Sequence, residues 1–393
     1  MTRSAAEAEA MIRSGVAALQ RGDSGEAMRL LRDAAEAGSV PPPLFLLAQA
    51  CRHGGDPEGE EAALDKLLEA EPRHLGGLIM RADCHLRSGD SRAAASFYGA
   101  ALRAAAAGRE PISPMMANEL RRAEAEAAAL ERQFAAHVEK RLSDGFAGAP
   151  LAGRVATAVD LMLGRKQVFL QQPTAFYFPG LPQIEFYERL QFPWLAGIEA
   201  AIPQIRSEAE AAMARDGAFS PYVEGEPNRP AATHRLLGDP SWSAYHLWKR
   251  GAPVPGNAEH CPGTMAALRH APMPEVQGRS PMALYSLLRP GTHIAPHNGL
   301  LNTRLICHIP LILPGRCRLR VGNEVREWEE GKALVFDDSV EHEAWNDSDG
   351  TRVILLFEIW RPELSEEEKA QIAALYEAIE LHGGPGDEGR GGA

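Results

Sequence analysis

Gly-Asp occurs three times near the start of the chain at almost constant spacing. The pairs are Gly22-Asp23, Gly55-Asp56 and Gly89-Asp90, at intervals of 33 and 34 residues. Each follows one run of apolar residues at helical spacing and precedes another, as in Ala17, Ala18, Met28, Leu30, Leu31 and Ala34. A turn that returns at this period predicts stacked helical hairpins, because one hairpin alone cannot bury its apolar face.

The repeat resembles the tetratricopeptide repeat (TPR), whose unit has this length. Ala27 and Ala94 stand where the second helix of a unit needs a small residue, and Pro72 stops the second unit. Glu60 breaks the small-residue pattern, and the aromatic positions of the consensus are mostly missing. The expectation is a TPR-like solenoid over residues 1–144, with a groove for a peptide or protein partner. A plain helical bundle is the competing reading. A long helix from Ala117 to about Leu142 would cap the repeats, and 145–150 is the expected domain boundary.

Composition narrows the rest. A net charge of -12 and the lack of a basic run exclude nucleic acid as the main partner. The five cysteines are scattered, with no C-x-x-C pair, which suits a reducing compartment. No stretch approaches the roughly 18 apolar residues of a membrane span, and Met1 to Glu7 lacks a secretory apolar core. The expectation is a soluble cytoplasmic protein without membrane partners, ending in a disordered Gly-rich tail over 383–393.

After Leu163 aromatics and prolines concentrate, as in Phe176-Tyr177-Phe178-Pro179, and a helix is expected from Leu195 to Arg215. The segment 240–249 alternates like a half-buried strand, with Trp242, Ala244, His246 and Trp248 on one face. His246 and His260 read as surface groups or as groups that orient a ligand. From Met282 onward short strands alternate with turns at Pro290-Gly291, Pro314-Gly315, Gly322-Asn323 and Glu330-Gly331. That pattern predicts a double-stranded β-helix of jelly-roll type over 145–382.

Candidate chemistry lies in this half. His297 follows a short strand expected to end at Ala295, and His342 comes 45 residues later, a separation that lets the two approach from opposite sides of a barrel. Neutral imidazoles suit Fe(II), usually as two histidines and one carboxylate. The carboxylate position two residues after His297 is Gly299, so either water fills the place or Asp338 reaches the metal, with water preferred. Zinc or manganese in a cupin-like site is a further option. Arg352 opens the strand Val353-Ile354-Leu355-Leu356-Phe357, where a guanidinium can grip the distal carboxylate of 2-oxoglutarate, and Ser286 can add a hydroxyl.

Across about 176–364 the chain resembles the aspartyl/asparaginyl β-hydroxylases, which depend on Fe(II) and 2-oxoglutarate. The resemblance is carried by 290–299, by Asn302-Thr303-Arg304-Leu305, by Trp328-Glu329-Glu330-Gly331-Lys332 and by 337–345. It implies iron held by His297 and His342 without a protein carboxylate, and 2-oxoglutarate anchored by Arg352 with Ser286. It places His308 near the cofactor's other carboxylate. Animal members carry an arginine where this chain has Ile306, while Arg304 is kept beside the cofactor or substrate.

The expected activity is O2-dependent hydroxylation of an Asp/Asn-type side chain in a peptide, protein or amino-acid-derived substrate, releasing succinate and CO2. A 2-oxoglutarate-dependent halogenase and a catalytically inactive TPR-containing interaction protein are the alternatives.

Overall fold

The computed structural model describes residues 5–37, 41–108, 111–146, 148–225 and 235–382. The expected tail, 383–393, lies outside them. The chain divides into two compact units, Met1–Leu163 and Gly164–Ala393.

The first unit is helical: α1 (Ala5–Gln20), α2 (Ser24–Glu36), α3 (Leu44–Gly54), α4 (Pro57–Ala70), α5 (Leu75–Arg87), α6 (Ser91–Ala107), α7 (Pro114–Gly145) and α8 (Gly153–Met162). From α1 to α7 each helix packs against the next in chain order. The Gly-Asp pairs have a two-part job. Gly22, Gly55 and Gly89 take φ of 79°, 70° and 84° to end one helix, a region costly for any residue with a Cβ. The aspartate then caps the next helix: Asp23, Asp56 and Asp90 accept from the N–H groups of Glu26, Gly59 and Ala93 at 2.9–3.0 Å.

Ala27 and Ala94 are fully buried as expected of close-packed positions. Glu60 is also buried, and Arg87 compensates it with a 2.5 Å ion pair. The helical unit continues beyond Gly145 to include α8, which buries none of its residues. No helix among the described residues is long and apolar enough to cross a membrane.

The second unit is built on strands, with β1 (Phe186–Tyr187), α9 (Leu195–Ala200), α10 (Ile202–Met213), β2 (Ser220–Pro221), β3 (Trp242–Lys249), β4 (Ala252–Pro253) and α11 (Pro262–Leu268) first. Then come β5 (Ala283–Leu288), β6 (His293–His297), β7 (Arg304–Ile312), β8 (Cys317–Val321), β9 (Glu324–Glu327), β10 (Leu334–Phe336), β11 (His342–Asn346), β12 (Arg352–Trp360) and α12 (Glu366–His382). The helix expected over 195–215 is two helices, broken where Pro203 enters the first turn of α10. α12 opens on a capping box, with Ser365 and Glu368 exchanging bonds.

The larger antiparallel sheet runs β1-β10-β7-β12-β5-β3-β2, with β4 beside β3, and the smaller runs β6-β11-β8-β9. The period of two along β7 and β12 sorts the side chains between two cores. Leu305, Cys307, Ile309, Val353, Leu355 and Phe357 face α9 and α10 in one core. Burial of each leucine or phenylalanine there contributes about 1.5–3 kcal/mol. Ile306, Ile354 and Leu356 point the other way, toward Ile294, Leu319 and Ala344 of the smaller sheet. The space between the sheets holds the site.

Candidate active site

A cavity of about 430 Å³ opens between the sheets. The larger sheet contributes Trp242, His246, Ser286, Arg304, Ile306, His308 and Arg352, and the smaller contributes His297 and His342. The six residues singled out from the sequence, His297, His342, Arg352, Ser286, His308 and Arg304, therefore all line one space.

The two histidines do not come from opposite sides. β6 runs on through His297 instead of stopping at Ala295, and His297 is the direct register partner of His342 on the adjacent antiparallel strand β11. Their ring centroids lie 4.1 Å apart. Antiparallel pairing erases the 45-residue separation, which sequence distance alone could not reveal. Each ring bonds through Nδ1 to the carbonyl two residues before it, His297 to Ala295 at 2.8 Å and His342 to Val340 at 3.1 Å. A neutral ring that donates from Nδ1 has its lone pair on Nε2, so both rings are prepared as neutral donors. Burial, then the neighbouring His297, pushes the His342 pKa down to about 3.

Arg352 lies at the other wall, 1% exposed. Its Nη2 donates to Ser286 Oγ at 3.3 Å, and its guanidinium carbon sits 4.8 Å from the centre of the Trp328 ring. Among the described residues no carboxylate bonds to it, and its Nε is buried without a hydrogen-bond partner. Burial pulls its pKa from 12.5 down to about 10, still protonated at neutral pH. Trp242 Nε1 donates to the same Ser286 hydroxyl at 3.2 Å, while Tyr222 stacks on Trp242 at 4.0 Å.

His308 is buried beside Phe336 and Trp328. Burial, then Arg352 and His342, holds it well below its usual pKa, so it is neutral, and its Nδ1 has no hydrogen-bond partner.

Gly299 has a spatial reason. A Cβ built there would lie 2.1 Å from Asp338 Oδ2, so the Asp338 carboxyl already occupies the space that a side chain at 299 would need. That carboxyl is held by Arg304 Nη2 at 3.3 Å, and Arg304 Nη1 also donates to Glu358. Burial, against the pull of Arg304, raises the Asp338 pKa to about 6. Among the described residues no group of three or more His, Cys, Asp and Glu is arranged to hold a metal ion.

Sequence reasoning missed Trp242 and Trp328 as walls around Arg352. Alternation along β3 puts Trp242 on one face with His246 without saying which face lines a pocket, and nothing in the sequence pairs it with Ser286. His246, read there as a surface or orienting group, lines the cavity. His260 is exposed and bonds through Nδ1 to the carbonyl of Gly256.

Two facing antiparallel sheets with paired histidines and a buried arginine between them define a two-sheet β domain with a polar site between its sheets. Residues 199–362 match the family model described as Aspartyl/Asparaginyl beta-hydroxylase.

The chain is 40% identical over 143 residues to the mouse (Mus musculus) aspartyl/asparaginyl beta-hydroxylase, a match covering 36% of this chain and 19% of that protein. It is 35% identical over 179 residues to the ornithine lipid ester-linked acyl 2-hydroxylase of Rhizobium tropici, covering 45% of this chain and 60% of the relative. The chain thus spans between 19% and 60% of the length of these relatives. Among solved structures, a cupin 2 conserved barrel domain protein from Salinispora arenicola matches at 16% identity, covering 38% of this chain and 98% of that one, with a TM-score of 0.22. The Sgt2 TPR domain from Aspergillus fumigatus matches at 18% identity, covering 37% and 86%, with a TM-score of 0.26.

Proposed function

We propose that the second unit is an Fe(II)- and 2-oxoglutarate-dependent dioxygenase that hydroxylates a carbon next to a carbonyl, as in an Asp/Asn-type side chain of a peptide, protein or amino-acid-derived substrate. The observation that carries this reading is Arg352, a buried guanidinium with no carboxylate partner among the described residues, in the same cavity as His297 and His342. A buried unpaired cation is costly, and a bound dicarboxylate would relieve the cost.

The donor set fits the groups. His297 and His342 would hold the metal, and Arg352 with Ser286 would hold the far carboxylate of 2-oxoglutarate through charge-assisted bonds. Neutral His308 would face the cosubstrate's other carboxylate, and Arg304 would meet the substrate. When bound, iron with 2-oxoglutarate and O2 supplies the oxidation that converts C–H to C–OH, with succinate and CO2 released. The protein's own contribution is geometric. Backbone carbonyls fix both histidine tautomers, Trp242 and Trp328 fix Ser286 and Arg352, and the apolar side chains of the two sheets limit water.

The substrate position has chemical support in the relatives' names. The β-carbon of an aspartyl or asparaginyl residue and C2 of an ester-linked acyl chain both adjoin a carbonyl carbon. The helical unit is read as a TPR-like solenoid that docks a peptide or protein partner; the periodic caps and the sequential helix packing support this. Unchanged activity on every substrate after removal of residues before Gly145 would count against a role in substrate capture.

Anaerobic titration of the full chain with Fe(II) and 2-oxoglutarate tests the central claim. A visible charge-transfer band is expected in the intact protein and not in His297→Ala or His342→Ala. No band in the intact protein would sink the reading. With a substrate in hand, a mass gain of one oxygen distinguishes hydroxylation from halogenation.

A further inference from the structure

We propose that the carbonyl group accepted by this site is uncharged, an amide or an ester, and that the matching carboxylate is disfavoured. The inference rests on the hydroxylase reading above and adds a substrate class to it.

The argument begins with Arg304. Two arginines on the strands of the larger sheet, Arg304 and Arg352, line the cavity, and Arg352 is taken by the cosubstrate in the proposed function. Arg304 is already committed, donating from Nη1 to Glu358 and from Nη2 to Asp338. Both carboxylates are buried, at 0% and 6% exposure. One positive charge thus faces two negative ones, and the trio carries surplus negative charge.

Arg304 still keeps donors. A guanidinium has five N–H groups, and the bonds to Glu358 and Asp338 use one on each Nη. A neutral carbonyl oxygen can accept such a bond and bring no charge with it. A carboxylate at the same place would add a third negative charge beside Asp338 and Glu358, where burial weakens screening.

Among the described residues, much of the remaining lining brings no charge to meet a carboxylate. Ile306, Leu301 and Leu356 are buried and apolar. His246 is kept neutral by burial, so it can donate or accept but supplies no charge. Of the other lining cations among the described residues, Lys249 and Arg250 are exposed, Lys249 pairs with Glu224 at 3.5 Å, and Arg279 lies over the Tyr376 ring.

Two pairs of probes test this on the full-length protein loaded anaerobically with Fe(II) and 2-oxoglutarate. The first is N-acetylasparagine amide against N-acetylaspartate amide, and the second is hexanamide against hexanoate. Binding is read from tryptophan fluorescence, since Trp242 lines the cavity, and from perturbation of the visible band. The amide of at least one pair should bind roughly tenfold tighter than its acid, the factor expected for one partly screened charge interaction. Which pair responds shows whether an asparaginyl or an acyl carbonyl is preferred.

An acid that binds as well as its amide, or no binding by either amide, overturns the proposal while the visible band still upholds the cofactor reading. Loss of the band itself would instead sink that reading. Charge variants give a second test. Glu358→Gln should shrink the amide preference and Ile306→Lys should reverse it, and Asp338→Asn replaces either one that circular dichroism shows to be misfolded. Preference unchanged in all folded variants also overturns the proposal.

Discussion

The two ends of β12 each bury an arginine, and they treat it in opposite ways. Arg361, just beyond the strand, is fully buried and surrounded by acceptors. It pairs with Asp337 at 2.7 Å and donates to Pro182 O at 3.0 Å, to Asn302 O at 3.3 Å and to Tyr187 Oη. Arg352, at the start of the strand, is just as buried but has one serine hydroxyl and an aromatic face. A folded chain normally satisfies a buried guanidinium. Arg361 shows that this domain can do so, and the sparse surroundings of Arg352 therefore point to a partner from outside the chain.

The neighbouring aspartates repeat the lesson. Asp337 is locked by Arg361, by Gln171 at 2.7 Å and by Ser339, and it ties the segment before β1 to the strand ends. Asp338, one residue on, turns into the cavity against Gly299, and its Oδ1 is buried without a hydrogen-bond partner. One carboxylate builds the fold and the next shapes the site.

The comparison breaks most sharply at Arg361. Replacing it by alanine leaves Asp337 charged, buried and unpaired, and about 3–5 kcal/mol of stability should be lost in a denaturant melt. Arg352→Met should behave differently. Burial lowers the arginine's pKa, so the charged form is penalised in the fold at neutral pH, and removing it should leave the melt unchanged or shift it upward. The loss should appear in 2-oxoglutarate titrations, where charge-assisted bonds worth about 1.5–3 kcal/mol predict a roughly 10–150-fold weaker cosubstrate. Equal destabilisation by both substitutions would mean that Arg352 is structural too.

Gly299→Ala sharpens the comparison of the aspartates. The new Cβ would press on the Asp338 carboxyl, and the overpacking should cost about 1–3 kcal/mol and lower turnover. An unaltered melt and unaltered turnover would show that Asp338 moves aside freely.

Much of this was legible in the sequence, and the reason differs from element to element. The Gly-Asp pairs could be read because one local device, a left-handed glycine followed by a capping aspartate, needs no distant partner. The strands of the second unit were legible from alternation and turns; His297, His342, Arg352 and Ser286 stood out by side-chain chemistry, whereas His308 and Arg304 came only with the family resemblance. What the sequence hid was register. His297 meets His342 because β6 and β11 pair antiparallel, and Gly299 accommodates Asp338 because the loop before β11 folds over it. The lack of a side chain at Gly299 also makes room for the Asp338 carboxyl, a close approach that no local pattern announces. The tryptophans beside Arg352 escaped notice because their contacts join strands distant in sequence.

The smallest effect concerns His246, which carries the comparison to a group visible through pH. Its Nδ1 is buried without a hydrogen-bond partner, and burial, then Lys249, lowers its pKa from 6.5 to about 4. The unfolded chain therefore binds a proton more readily than the fold, so stability from this residue is present above pH 6.5 and is lost as pH falls toward 4. His246→Phe cannot take up that proton, and its stability should fall less steeply than wild type across this window. Parallel curves for the two proteins would mean that the imidazole has a partner in solution, and His246 would then belong with Arg361 among the satisfied groups rather than with Arg352.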